Sequence, residues 1–206
     1  MPRIFYCDAK KFEHLYDECL SALSQKRREK AEKLFDKKDS LLSALAGLML
    51  INVFGKKAID DIKYNEHGKP YFEHGACFNI SHSKNYAVLA ISGDNIGIDV
   101  EEREAPDIAV AKRCFTKEEF DFAKQSTQNF LRIWTAKEAV LKLLGTGFSY
   151  SPKNFCVLPF DEEHEINGVK MRFFCHEING VPITAAFCKD SEDFEITEFL
   201  PKDLLN

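Results

Sequence analysis

The sequence contains no C-x-x-C pair, no G-x-x-x-x-G-K-[ST] or G-x-G-x-x-G loop, and no apolar run able to cross a bilayer. Its longest apolar stretch, residues 41–54, is interrupted by Ser43, Gly47 and Asn52, whereas a spanning helix needs about 20 apolar residues. The missing glycine-rich loops exclude the common nucleotide-binding signatures. Seven cysteines, at positions 7, 19, 77, 114, 156, 175 and 188, are odd in number. Buried reduced thiols are therefore expected rather than a disulfide framework. A signal-peptide core is not expected either, because residues 1–6 run at once into Asp8, Lys10 and Lys11. Excess positive charge is absent: 28 basic against 33 acidic residues leave a formal charge of −5. That argues against a globally basic nucleic-acid binder. The expectation is a cytoplasmic chain that works on neither membrane nor nucleic acid.

What is present is ample material for a core. The 206 residues are 45% hydrophobic and include 18 Phe, which excludes a disordered chain and fits one large domain or two small halves. A short strand is predicted at 4–7 and several helices over 11–54. Within the latter, Lys26, Lys30, Lys33 and Lys37 fall on one charged helical stripe. The turn Asn65-Glu66-His67-Gly68-Lys69-Pro70 separates two strand candidates. Strands follow at 76–81, 86–92 and 95–101, with Gly93-Asp94-Asn95 read as a hairpin turn between the last two. The polar stretch 102–107, which holds a Pro, is the candidate linker. Beyond it Thr116 and Glu119 form a capping box, and a long helix is predicted over 128–144, stopped by Gly145. Strand-like runs close the chain near 154–158, 169–178, 182–188 and 194–199.

Three features carry chemistry. In Ile96-Gly97-Ile98-Asp99-Val100-Glu101 the alternation puts Ile96, Ile98 and Val100 on one side and Asp99 with Glu101 on the other. Two carboxylates so placed can converge on a cation, and all-oxygen ligation favours Mg²⁺, Mn²⁺ or Ca²⁺ over Zn²⁺. An ordinary half-exposed strand end shows the same pattern. Phe78-Asn79-Ile80-Ser81-His82-Ser83 ends a strand in a hydroxyl–imidazole–hydroxyl cluster that can donate to phosphate oxygens; a satisfied turn is the simpler account. A serine-hydrolase reading lacks a G-x-S-x-G elbow, and adjacent Ser81 and His82 point to opposite faces of a strand. Third, Ile133, Ala136, Val140, Leu143 and Leu144 form a buried helical stripe, while Trp134, Glu138 and Lys142 climb an adjacent line. That line is either a surface Glu–Lys pair or a third carboxylate and a cation beside a metal site.

The ordered set resembles the Sfp-type 4′-phosphopantetheinyl transferases. The resembling pieces are Arg28-Glu29-Lys30, Gly68-Lys69-Pro70, Phe78-Asn79-Ile80-Ser81-His82-Ser83 and Gly97-Ile98-Asp99-Val100-Glu101. Residues 108–115 and Trp134-Thr135-Ala136-Lys137-Glu138 follow, with Lys142 and Gly145-Thr146-Gly147 after them. The resemblance covers about residues 26–150. It implies an α+β fold of two similar halves, 1–104 and 105–206, with the active site between them. It also implies Mg²⁺-dependent transfer of 4′-phosphopantetheine from coenzyme A to a serine of an apo acyl or peptidyl carrier protein. By the same resemblance Asp99, Glu101 and Glu138 would hold Mg²⁺, with Mn²⁺ an alternative. Lys142, His82 and Ser81 would contact phosphate oxygens, Lys69 and Pro70 would line the adenine side, and Arg27 and Lys30 would approach the 3′-phosphate. Leu41-Leu42 stands where relatives often carry His-Arg. Glu138 is the first candidate for the base that takes the acceptor serine's proton, and Glu119 the second, in competition with its capping role. A monomer is expected. The alternatives are a non-catalytic binder of coenzyme A or carrier protein, and a different Mg²⁺-dependent phosphotransferase or phosphodiesterase.

Overall fold

The computed structural model describes residues 1–188 and 194–205. Strand β1 (Arg3–Asp8) leads into helices α1 (Tyr16–Ala22), α2 (Gln25–Glu32) and α3 (Lys37–Phe54), the run of helices expected over 11–54, and then into the short α4 (Lys56–Asp60) beyond it. Asp36 caps α3 by accepting from the amides of Lys38 and Asp39, and Gly55, at φ 82°, ends it. Strands β2 (Lys63–Tyr64) and β3 (Pro70–Tyr71) are two residues each and flank the expected turn. Strands β4 (Cys77–Ser83), β5 (Tyr86–Ser92) and β6 (Ile96–Val100) follow, then helices α5 (Ile108–Cys114), α6 (Lys117–Ala123) and α7 (Thr127–Leu144). The chain closes with β7 (His164–Ile166), β8 (Val169–Ile178), β9 (Val181–Phe187), β10 (Glu195–Glu198) and α8 (Pro201–Leu204). The fold is α+β.

Two four-stranded sheets, ordered β10-β1-β5-β4 and β6-β9-β8-β7, lie face to face between α3 and α7. Strand alternation builds these layers. Ala87, Leu89 and Ile91 of β5 pack toward α3, while Tyr86, Val88 and Ala90 pack toward the second sheet. There they meet Ile96, Ile98 and Val100 of β6 and Ile183 and Ala185 of β9. The opposite face of β6 therefore looks toward α7, as the alternation predicted.

Three sequence expectations are corrected. Lys26, Lys30, Lys33 and Lys37 do not share one helix, since α2 ends at Glu32 and α3 begins at Lys37. Gly93-Asp94-Asn95 does not close a hairpin, because both edges of β5 are already taken, by β1 and β4. The chain instead crosses to the second sheet, where β6 pairs antiparallel with β9. Residues 154–158 are not a strand. Their backbone is satisfied by buried ionic side chains: Val157 N donates to Glu119 Oε1 at 2.8 Å, and Phe155 O accepts from Lys137 Nζ at 2.7 Å. Strand β10 returns to the first sheet and lies parallel to β1, Arg3 opposite Glu195. Each sheet thus contains one strand from beyond the 102–107 stretch as seen from its other members.

Candidate active site

The alternation of β4 matches that of β6. Asn79 Oδ1 accepts from Ile98 N at 2.9 Å, Ser81 Oγ donates to Asp99 Oδ1 at 2.7 Å, and Ser83 Oγ donates to Glu101 Oε1 at 2.6 Å. Every second side chain of one strand therefore meets a partner on the other. Asp99 is buried, only 6% exposed. Burial raises its pKa, and Lys142 and Ser81 pull it back down.

Helix α7 closes over these carboxylates because Gly97 allows it. A Cβ at Gly97 would stand 2.0 Å from the Ala139 carbonyl and 2.4 Å from the Leu143 amide. With that face bare, strand and helix backbones touch, and Lys142 Nζ reaches Asp99 Oδ1 at 2.7 Å and Ser81 Oγ at 2.8 Å. Glu138 stands one helical turn before Lys142. Among the described residues it makes no hydrogen bond. Its pKa is pushed up to about 7, first by burial and then by the charges of Asp99 and Glu101. Partial desolvation, with the Lys142 charge second, lowers the pKa of His82.

Glu138 and Lys142 line a cavity of about 240 Å³. Lys69, Pro70, Gly68, Asn79, Ile80 and Phe148 complete much of its wall. Lys69 Nζ donates to Leu143 O at 2.8 Å, so its stem faces the cavity while its ammonium is held by the end of α7.

A second cluster holds unspent positive charge. Arg27 Nε and Ser24 Oγ are buried without a hydrogen-bond partner. Burial lowers the Arg27 pKa, and the neighbouring Tyr64 opposes that shift. Lys30 Nζ lies 5.5 Å from the centre of the Tyr64 ring. Arg27 and Lys30 thus set two cations around Tyr64.

The structure brings together Ser81, Asp99, Glu138 and Lys142, with Glu101 joined to Ser83 beside them. It places Arg27 and Lys30 together around Tyr64. It does not bring Glu119 to the site, which is a correction. Glu119 is fully buried, its carboxylate occupied by the Thr116 amide at 2.7 Å, the Val157 amide at 2.8 Å and Lys137 Nζ at 2.9 Å. It has no lone pair facing solvent with which to take a proton. Leu41 and Leu42, 2% and 1% exposed, belong to the core and contribute no donor. Sequence reading missed Tyr64 and the steric duty of Gly97. A lone tyrosine carries no local signal, but a glycine in a strand otherwise rich in Ile and Val does.

Glu138, half-buried and without a hydrogen bond, and the nearby carboxylates of Asp99 and Glu101 offer the oxygen donors that hard divalent cations take. Among the described residues, however, no three acidic, imidazole or thiol groups are already gathered at ligating geometry; Lys142 occupies Asp99. The fold and the site therefore define an α+β protein that gathers buried carboxylates with the Lys142 ammonium and the Ser81 hydroxyl beside a cavity. Comparison with known proteins makes this specific. Residues 95–192 match the 4′-phosphopantetheinyl transferase superfamily. A 4′-phosphopantetheinyl transferase of Bacillus subtilis is 33% identical over 161 residues, 72% of this chain and 71% of that protein. The 4′-phosphopantetheinyl transferase Sfp of Bacillus subtilis strain 168 is 32% identical over 150 residues, 67% of each. The chain belongs to the 4′-phosphopantetheinyl transferase family.

Proposed function

We propose that this enzyme transfers 4′-phosphopantetheine from coenzyme A to a serine of an apo acyl or peptidyl carrier protein, releasing adenosine 3′,5′-bisphosphate. The observation that carries the assignment of the site is the convergence of Ser81, Asp99 and Lys142 within 2.8 Å, beside a Glu138 that lacks a hydrogen-bond partner. The acceptor oxygen attacks the phosphorus that bears pantetheine. The bond from that phosphorus to the bridging oxygen breaks, and the electron pair leaves with the bisphosphate.

Lys142 by its charge, and Ser81 and His82 by hydrogen bonds from the two faces of β4, contact phosphate oxygens of coenzyme A; losing one such stabiliser typically costs about 10²–10³ in rate. Asp99, Glu101 and Glu138 would hold Mg²⁺, or Mn²⁺ in its place, which when bound neutralises the charge that builds on those oxygens. Glu138, which makes no hydrogen bond among the described residues, is the group that would receive the seryl proton at a carboxylate oxygen. Lys69 and Pro70 line the adenine side, and Arg27 with Lys30 receives the 3′-phosphate.

Two similar halves, 1–104 and 105–206, are part of the same reading. It is supported by their order of elements: each runs from a long helix into a hairpin and then into a strand that pairs in the other half's sheet. A cytoplasmic monomer completes the proposal; among the described residues no helix is long and apolar enough to cross a membrane.

The test is intact-mass analysis of an apo carrier protein incubated with the enzyme, coenzyme A and Mg²⁺, beside a sample containing EDTA. A phosphopantetheine mass gain that disappears with EDTA is expected. Tight coenzyme A binding without any gain would assign the protein as a non-catalytic binder instead.

A further inference from the structure

Two-residue strands cannot hold a hairpin by their own ladder, and the β2–β3 hairpin is anchored at both ends instead. Its trailing end belongs to the first half: Phe72 packs on Phe54 and on Phe78, ring centres 4.9 Å apart in each case. Its tip crosses to the second half. Asn65 Nδ2 donates to the Gly145 carbonyl at 2.8 Å, and Lys69 Nζ donates to the Leu143 carbonyl at 2.8 Å. Both acceptors lie at the C-terminal end of α7, where carbonyls lack helical partners and a cation meets the negative end of the dipole.

The fit is close. Gly145 has φ 68°, and a Cβ there would stand 2.9 Å from Asn65 Nδ2 and 3.1 Å from Lys69 Cδ. Asn65 also closes its own turn, since Oδ1 accepts from His67 N at 3.0 Å and from Lys69 N at 2.8 Å. One amide thus shapes the turn with its oxygen and fastens it to α7 with its nitrogen.

We infer that Asn65, acting with Lys69, is a positioning residue that locks the wall formed by residues 68–70 to the end of α7, setting Lys142 and Glu138 against a ligand held on that wall. This rests on the transferase reading above. Leu143, which the strap grips, is the immediate neighbour of Lys142, so a tip that swings free changes the distance between nucleotide wall and phosphate-handling groups.

The test uses two variants that separate fastening from folding. Asn65→Asp keeps the oxygen that closes the turn and loses the donor to Gly145. Lys69→Met keeps the stem against Gly145 and loses the ammonium. Steady-state kinetics with coenzyme A and apo carrier are read beside thermal melting. Because misplacement by about 1 Å can cost about 10²-fold, kcat is expected to fall roughly ten- to a hundredfold in each. KM for the carrier should stay within about twofold and Tm within about 3 °C, a shift worth on the order of 1 kcal/mol. The double variant should be no slower than about the poorer single one, since both substitutions release the same contact. Lys69→Arg, which keeps a donor, should recover most of the rate. Parent-like kcat in both single variants would overturn the inference, as would losses that merely follow a lower Tm. A parent enzyme that modifies no carrier would instead remove the transferase reading, and this inference with it.

Discussion

Both oxygens of Glu119 are occupied, by the amides of Thr116 and Val157, and Lys137 Nζ lies 2.9 Å away with two backbone carbonyls, Pro152 and Phe155, as its other acceptors. Such a buried pair is costly to break from one side, because the surviving charge has no water to turn to. Glu119→Gln should therefore lower stability by about 3–5 kcal/mol in chemical denaturation, with kcat per folded molecule unchanged. A large loss of kcat at full stability would restore Glu119 as the base. Glu138 has the opposite surroundings: burial and the carboxylates of Asp99 and Glu101 outweigh the Lys142 charge, and no hydrogen bond holds it. Its pKa of about 7 lies above its ordinary 4.5. Between those values the folded protein holds a proton that the unfolded chain has released. The neutral carboxyl's contribution is therefore complete below about 4.5 and is lost as pH rises through about 7. In EDTA the melting temperature should decline between roughly pH 5 and 8 more steeply for the parent than for Glu138→Gln. At pH 8 the variant should be the more stable by about 1–3 kcal/mol, after allowance for the part of the group that water still screens. Parallel melting profiles would show that Glu138 is not crowded by Asp99 and Glu101.

At the scale of elements, the site depends on how closely β6 can approach α7. Gly97→Ala would drive a methyl group into the Ala139 carbonyl and the Leu143 amide, and neither backbone can yield without shifting a central element. A loss above about 3 kcal/mol is expected, or about 6–12 °C in Tm for a chain of this length. Any folded fraction should have weakened transfer activity, since Asp99 and Lys142 are pushed apart. An unchanged melt would mean that the two elements separate at little cost. Much of this level was legible in the sequence. The Thr116–Glu119 capping box, the stop at Gly145 and the division of β6 into an apolar and an acidic face all follow from local spacing. Residues 154–158 misled because Phe155 and Val157 are buried like strand residues, while their backbone partners, Glu119 and Lys137, lie far away in sequence. The strap from Asn65 to Gly145 spans 80 positions and leaves no periodic trace. Side-chain types that carry chemistry were readable; the contacts that aim them were not.

For the whole molecule, the exchange of strands is decisive. Residues 1–104 contain β6, whose sheet partner is β9, and residues 105–206 contain β10, whose partner is β1. Nothing in the composition of β5, β6 or the turn between them announces that the chain changes sheets there; only the occupied edges of β5 require it. The exchange also ties the ends together: Phe199 stacks on Phe5 at 4.9 Å, and Phe199 N donates to Tyr6 O at 2.8 Å. The face between the sheets is apolar on both sides, with Val88 and Ala90 against Ile98 and Ile183, and separation would expose it to water at about 25 cal/mol per Å². Fragments cut at 104 should consequently fail as independent units, because each sheet takes one strand from the other side of that cut. Expressed alone, fragments 1–104 and 105–206 should each lack a cooperative thermal transition. Co-expressed, they should copurify and regain one, because the interface between sheets and both lent strands can then reform. A cooperative melt from fragment 1–104 alone would contradict this. It would show that the first sheet closes without β10 and that β6 tolerates the loss of β9, and the strand exchange would then be a contact between two self-sufficient domains rather than the bond that makes them one.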